Sequence, residues 1–347
     1  MDSGVFFSSY RADMALRNRP LEKVRMALFV AFVLVFPFVA SPYWLNLANT
    51  IAIYTVGALG LNILVGYTGQ ISLGQGAFMA VGAYGAGLLT RDAGFPFLPS
   101  LLAASLITAA VGVVFGLPSL RLKGLYLAVA TLAAQQIVEW LITHTPITGG
   151  TQALILPAPT LFGLSLRGDF RFYWVALLAA SMAALYTANL FRSRVGRAFV
   201  AIRDQDIAAS AIGVSVFKYK LIAFATSSFF VGMSGALLAH WRTIVTYERF
   251  TLIHASIPFL AMVIIGGLGS ISGSFFGATF MVLLPAMITT FGRSLQSTAP
   301  WAAALLPAVQ QGVFGVVVIL FLVLEPEGLA KLWRNIKDYF HVWPFSY

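Results

Sequence analysis

The sequence predicts an all-α, polytopic helical membrane protein, and three observations carry that expectation. Of its 347 residues 59% are hydrophobic and 10% charged, where a soluble domain has roughly 25% charged residues; mean hydropathy is +0.86. Apolar runs near the length that crosses a hydrocarbon core, about 20 residues, fall at 26–41, 45–66, 70–90, 98–117, 124–143, 172–191, 220–241, 254–269, 273–291 and 304–324. The basic residues are also unevenly placed. With ten transmembrane helices and a cytoplasmic N-terminus, interior segments 1–25, 119–123, 192–220 and 325–347 hold 16 of the 22 Lys+Arg and exterior segments hold 6. That is the positive-inside bias, and it puts both termini in the cytoplasm. Losing one span would reverse everything downstream. Eight spans with two re-entrant pieces would preserve the bias, so that count stays open. The expected organisation is a cytoplasmic N-terminal segment 1–25, a transmembrane domain 26–324 and a cytoplasmic tail 325–347.

The net charge of +10 follows from the same bias and does not call for nucleic acid. With no cysteine, disulfides, thiolate nucleophiles and cysteine metal sites are excluded. The first run, 26–41, follows five basic residues spread over 1–25 and has no clear small-residue cleavage site after it. It reads as an uncleaved first span rather than a secretory signal.

The third run begins in the least ordinary stretch of the chain. Residues 66–89 carry seven glycines, at 66, 69, 74, 76, 82, 85 and 87, among Thr68, Gln70, Ser72 and Gln75. Each glycine costs a helix about 1 kcal/mol against alanine, but in a membrane small residues let backbones approach closely. Ser72, Gly76 and Ala80 share a face, and Gly82–Ala86 and Ala83–Gly87 extend the spacing. The portion 66–75 reads as a broken or re-entrant lead-in to a helix, and non-helical backbone at membrane depth lines cavities or polar paths. The residues expected on a translocation path are therefore Thr68, Gln70, Ser72, Gly74, Gln75 and Gly76, with tight helix packing as the alternative. Glu139, an acid inside an apolar run, joins them if it faces the path; otherwise it reaches to water from the end of its helix. His240, Trp241 and Arg242 read as a snorkelling cluster at the membrane interface.

The long exterior segment 144–171 holds Pro146, Pro157, Pro159 and the pair Gly149–Gly150; it is either an ordered connection or a surface for an external partner. A short echo follows. Gly66-Tyr-Thr-Gly69-Gln-Ile-Ser72 is matched by Gly266-Gly-Leu-Gly269-Ser-Ile-Ser272, each where one span gives way to the next, as internal repeats of transporters do. Gly266, Gly269, Ser272 and Gly273 are expected to serve helix packing.

The interior loop 192–220 reads RSRVGRAFVAIRDQDIAASAIGVSVFKYK. Asp204 is expected as an N-cap, Asp206 in the first turn and Gly213 as the residue after the last turn, bounding a helix of about two turns over 205–212. Ala208, Ala209, Ala211 and Ile212 give it a small, smooth face that could dock into a groove of a soluble partner.

These residues carry a family likeness. The segments GYTGQISLGQGAFMAVGAYGA (66–86), AIRDQDIAASAIGVSVFKYKLIAF (201–224) and IGGLGSISGSFFGA (265–278), supported by LRLKGLYLAVATLA (120–133), resemble the permease subunits of ABC importers for branched-chain amino acids, the LivM type. The resemblance covers most of the chain. It implies that Arg203, Asp204, Asp206, Ala208, Ala209 and Gly213 lie on the segment that couples to the ATPase. Ala208-Ala209 and Gly213 match the family's Glu-Ala-Ala…Gly spacing, but Ile207 stands where the glutamate would be. It further implies a second homologous permease, two ATP-binding subunits that carry ATP and magnesium, an extracytoplasmic substrate-binding protein, and a bacterial inner membrane. Independently, none of the six lysines follows a glycine, so this chain has no G-x-x-x-x-G-K-[ST] phosphate loop.

No nucleophile–base set and no H-x-x-x-H pair is visible, so neither an enzyme nor a metal site is expected. The functional expectation is a permease moving branched-chain amino acids by alternating access. Urea, short amides or small carboxylates are the alternative cargo, and an ion-coupled secondary transporter is the alternative class.

Overall fold

A computed structural model describes residues 20–119, 122, 124–161, 163–296, 302–325 and 327–342. Every one of the ten apolar runs carries a helix. Helix α1 is Pro20–Val39, α2 Pro42–Asn62, α3 Gln75–Arg91, α4 Phe97–Ser119, α5 Leu125–His144 and α6 Asp169–Arg192. Two shorter helices follow, α7 Arg194–Asp204 and α8 Asp206–Ala211. Then come α9 Val216–Arg242, α10 Ile257–Gly266, α11 Ile271–Gln296, α12 Ala302–Leu324 and α13 Leu329–Val342. Among the described residues six helices are long and apolar enough to cross a membrane: Pro42–Tyr67, Phe97–Pro118, Leu125–His144, Asp169–Arg192, Val216–Arg242 and Ile271–Thr290. The protein is all-α and polytopic. Most of the basic segment 1–25, along with Arg121 and Lys123, lies outside the described residues.

The chain divides into two compact units, Met1–Asn46 and Leu47–Tyr347. In the first, α1 exposes Leu28, Phe32 and Phe38, the surface expected of a helix in lipid, where nothing is gained by hiding apolar groups.

In the second, α3, α4 and α9 form the core through missing side chains. A Cβ on Gly82 would strike the Gly232 carbonyl, one on Gly235 the Met79 carbonyl, and one on Gly232 the Thr108 hydroxyl. These glycines bring the backbones together, and the gain is dispersion and Cα–H contact rather than expulsion of water. Phe78, Phe97, Phe172, Phe224 and Phe259 are fully buried around this seam. The α10–α11 crossing works the same way, with Gly266 set directly against Gly273 and Gly277. Ser272 departs from the expected packing role: it is exposed, and Ser274, fully buried, takes the inward place.

Strand β1 (Leu154–Ile155) pairs with β4 (Ile244–Val245) just after α9, and β2 (Thr160–Leu161) pairs with β3 (Leu164–Ser165). Thr243 adopts a left-handed φ of 57°, and its carbonyl accepts the Leu156 N–H at 2.8 Å. Leu154 is buried against the space left by Gly87. The segment 144–168 is thus an ordered connection across the helix ends.

Candidate translocation and coupling site

The polar stretch after α2 is a real break. Residues 63–67 close as a π-helical turn, 68–74 are non-helical, and α3 starts at Gln75. Gly69 takes φ +67°, a conformation that a side chain resists. The expected path residues Thr68, Gln70, Ser72, Gly74, Gln75 and Gly76 come together here, but they are buried and face protein. Thr68 donates to the Leu64 carbonyl, and the Gln70 amide donates to Thr68 at 3.0 Å. Backbone groups freed by the break are paired too. The Leu73 N–H reaches the Thr131 hydroxyl at 2.9 Å, and the Gly76 N–H reaches Ser256 at 2.8 Å.

The Ala77 N–H binds the Gln135 side-chain carbonyl at 2.5 Å. Ser256 donates to that same oxygen at 3.1 Å, and the Gln135 amide donates to the Phe250 carbonyl at 2.7 Å. Gln135 therefore caps α3 from a distant helix, which supplies the donor and acceptor pairing that buried helix ends need. Two side chains are exceptions: Gln75 is fully buried and among the described residues neither of its amide atoms has a partner, nor has Gln70 Oε1. Glu139, one turn beyond Gln135, is half-buried and borders a cavity of about 10 Å³ with Gln135 and Tyr247, room for about one water.

The two halves of the sequence echo meet. The Gly269 N–H donates to Asn62 Oδ1 at 2.9 Å. The Asn62 amide donates to the Ser270 carbonyl at 2.8 Å and to Ser274 Oγ at 2.9 Å. A Cβ on Gly66 would collide with both Asn62 and Gly269, and Gly269 has φ +73°, the same sense as Gly69. Into this junction comes Arg203, donating from Nη1 to the Gly66 carbonyl at 3.2 Å, with its Cα and Cγ against Gly69.

Arg203 belongs to a loop that differs from the expected one. It folds as two helices, because Ser193 caps α7 by accepting from the N–H groups of Val195 and Gly196. Asp204 is not the cap of the second helix. It is the last residue of α7 and pairs with Arg203 at 3.0 Å; Gln205, with extended backbone, holds the N-cap position of α8. Gly213 ends α8 with φ +89°, where a side chain is resisted. Asp206 lies 3.8 Å from Lys220, which ties α8 to the foot of α9. Ala209 is buried, and the outward face is Ile207, Ala208, Ala211 and Ile212, with Ile207 70% and Ile212 79% exposed. The observed face differs from the expected one in losing Ala209 to the interior and gaining Ile207.

At the far end of α9 the expected interfacial cluster divides. Arg242 is partly buried and lies over the Trp241 ring at 4.0 Å, whereas His240 is fully buried, its Nε2 2.9 Å from Ser100 Oγ. Nearby lies a cavity of about 250 Å³ with Glu248 and Arg249 on its wall. In the sequence Arg249 is one of the six exterior basic residues; what marks it is its acidic neighbour Glu248 between two apolar runs. No group of three or more potential ligands for a metal occurs among the described residues.

Residues 43–322 match the family described as the branched-chain amino acid transport system permease component. The chain is 33% identical over 340 residues to the high-affinity branched-chain amino acid transport system permease protein LivM of Salmonella typhimurium, a match covering 90% of this chain and 76% of that protein. LivM of Escherichia coli matches to the same extent. A probable branched-chain amino acid transport permease protein LivH of Methanocaldococcus jannaschii is 27% identical over 295 residues, 81% of this chain and 89% of that protein. No solved structure matches.

Proposed function

This chain belongs to the family of permease components of branched-chain amino acid transport systems, and on that premise we propose that it is one half of the membrane gate of an ATP-driven importer in the bacterial inner membrane. It moves branched-chain amino acids inward by alternating access. A second permease of the same fold completes the gate; that both LivM and LivH proteins are similar to this one chain supports such a pairing. Two ATPase subunits and an external binding protein supply energy and cargo, since the chain has no phosphate loop of its own.

The observation that carries the reading is the Arg203–Gly66 contact. It joins the charged interior loop, where an ATPase would dock on Ile207 and Ile212, to the broken backbone between α2 and α3. A push on α8 reaches the Gly66–Gly269 junction through Arg203 and reaches α9 through Asp206–Lys220. Ten alternating spans are supported by how contacts divide. Gly66, Arg203, Gly269 and the Gly267–Gly328 approach share one end. Leu154, Val245 and the Trp241–Asp169 hydrogen bond share the other.

The test is leucine uptake by vesicles holding both permeases and both ATPases, fed by loaded binding protein. Uptake that requires internal ATP and survives ionophores is the expected result. Uptake that follows an ion gradient without the ATPases would move the protein to the ion-coupled class.

A further inference from the structure

The 250 Å³ cavity lies at the end of α9 opposite the coupling helices, the exterior end in the reading above. Its deep wall is apolar and buried: Met79 from α3, Leu238 from α9, and Phe259 and Met262 from α10, each no more than 5% exposed. Its rim carries opposite charges on consecutive residues, Glu248 and Arg249, in the single 3₁₀ turn Tyr247–Phe250. Successive side chains of such a turn point about 120° apart, so the two charges flank the mouth rather than stack on one side. Among the described residues neither side chain has an ion-pair or hydrogen-bond partner, although they are neighbours in sequence. Both charges are exposed on this chain.

A largely apolar wall beneath the Glu248–Arg249 pair, with Tyr54 and His254 completing the lining, is the complement of a particular chemistry. An aliphatic α-amino acid carries an ammonium, a carboxylate and an apolar branch on one carbon. A guanidinium matches a carboxylate with two parallel N–H donors, a glutamate matches an ammonium, and methionines yield to branches of different shape. The volume equals roughly eight waters, small beside the ~300–1,000 Å³ of sites for larger ligands.

We propose that this cavity is an exterior transit site for an aliphatic α-amino acid: Arg249 receives the carboxylate, Glu248 the ammonium, and Met79, Leu238, Phe259 and Met262 the branched side chain. The inference rests on the importer reading and adds the site and its selectivity. Urea and simple amides lack both charges and would pass it unheld, and an amine or a fatty carboxylate would engage one charge only. The site is shallow in charge, as a transit site must be, because a tightly held cargo would not move on.

The experiment uses the complete transporter in vesicles. The chain has no cysteine, so Met262→Cys gives the cavity a single thiol on this subunit. Leucine should slow its modification by a membrane-impermeant thiol reagent by about tenfold at saturation, and urea should not. Isocaproate, the leucine skeleton without its ammonium, should protect weakly in the otherwise native background. That protection should vanish with Arg249→Gln and persist with Glu248→Gln. In leucine uptake each charge variant should lose about tenfold in kcat/KM, with Arg249→Lys recovering part of the loss. Copurification of the partner subunits tests whether each variant has folded. Normal leucine protection and uptake in both charge variants, with native uptake still driven by ATP, would overturn the site and leave the importer standing. Native uptake that ignores ATP would overturn both.

Discussion

Gln135 shows how much a single side chain carries in this fold. It receives hydrogen bonds from Ala77 and Ser256 and gives one to Phe250, so three segments depend on one amide. Gln135→Leu keeps the volume and removes every bond, orphaning a buried N–H and a buried carbonyl at about 1–3 kcal/mol each. The expected outcome is a lower midpoint for thermal unfolding of the detergent-solubilised protein. Asn62 has the same character at the opposite end of the break. Neither role was legible in the sequence. A polar residue in an apolar run announces that it has a partner, but its partners here lie 115 residues away for Gln135–Phe250 and 207 for Asn62–Gly269. The glycines were more legible. Gly69 and Gly213 sit where left-handed backbone is needed, and that need shows directly in the residue chosen.

Among the elements, α7 and α8 are where pattern reading went furthest and then stopped. Gly213 and the acidic first turn announced a short helix, but Ser193 was passed over as a cap, so α7 was read as loop. The correction matters, because α7 is what carries Arg203 to Gly66. Among the described residues nothing covers the apolar face of α8: Ile207 and Ile212 are more than two-thirds exposed. Ile207→Asp with Ile212→Asp should leave the isolated permease as stable as before and weaken ATPase copurification by at least about tenfold, on the scale of lost interface anchors. At the α3–α9 seam the opposite holds. Gly82→Val puts atoms into the Gly232 carbonyl, and overpacking of about 1–3 kcal/mol or more should appear as loss of monodisperse protein in size-exclusion chromatography.

Across the whole molecule, apolar length forecast a helix in each of the ten runs, since it is a property that lipid selects directly. It did not forecast which helices are surrounded by protein. The span from Pro42 to Tyr67 and α9 are each 72% buried, against 17% for α6, yet all three read alike in hydropathy. Burial inside a membrane protein is written in small residues and polar singletons, not in greasiness. The ten-span arrangement makes its own prediction. In this cysteine-free chain, Ile155→Cys should react with an impermeant thiol reagent only from outside, and Ala211→Cys only from inside. Reaction of both from one side would mean an even number of crossings between them and would contradict the arrangement.

The account turns on motion at α8 reaching the Gly66–Gly269 junction through one guanidinium. The direct measurement is the number of leucine molecules moved per ATP hydrolysed by the reconstituted transporter carrying Arg203→Ala. The expected result is ATP hydrolysis near the native rate with leucine uptake reduced about tenfold or more, the ATPase still copurifying. An unchanged ratio would contradict the account.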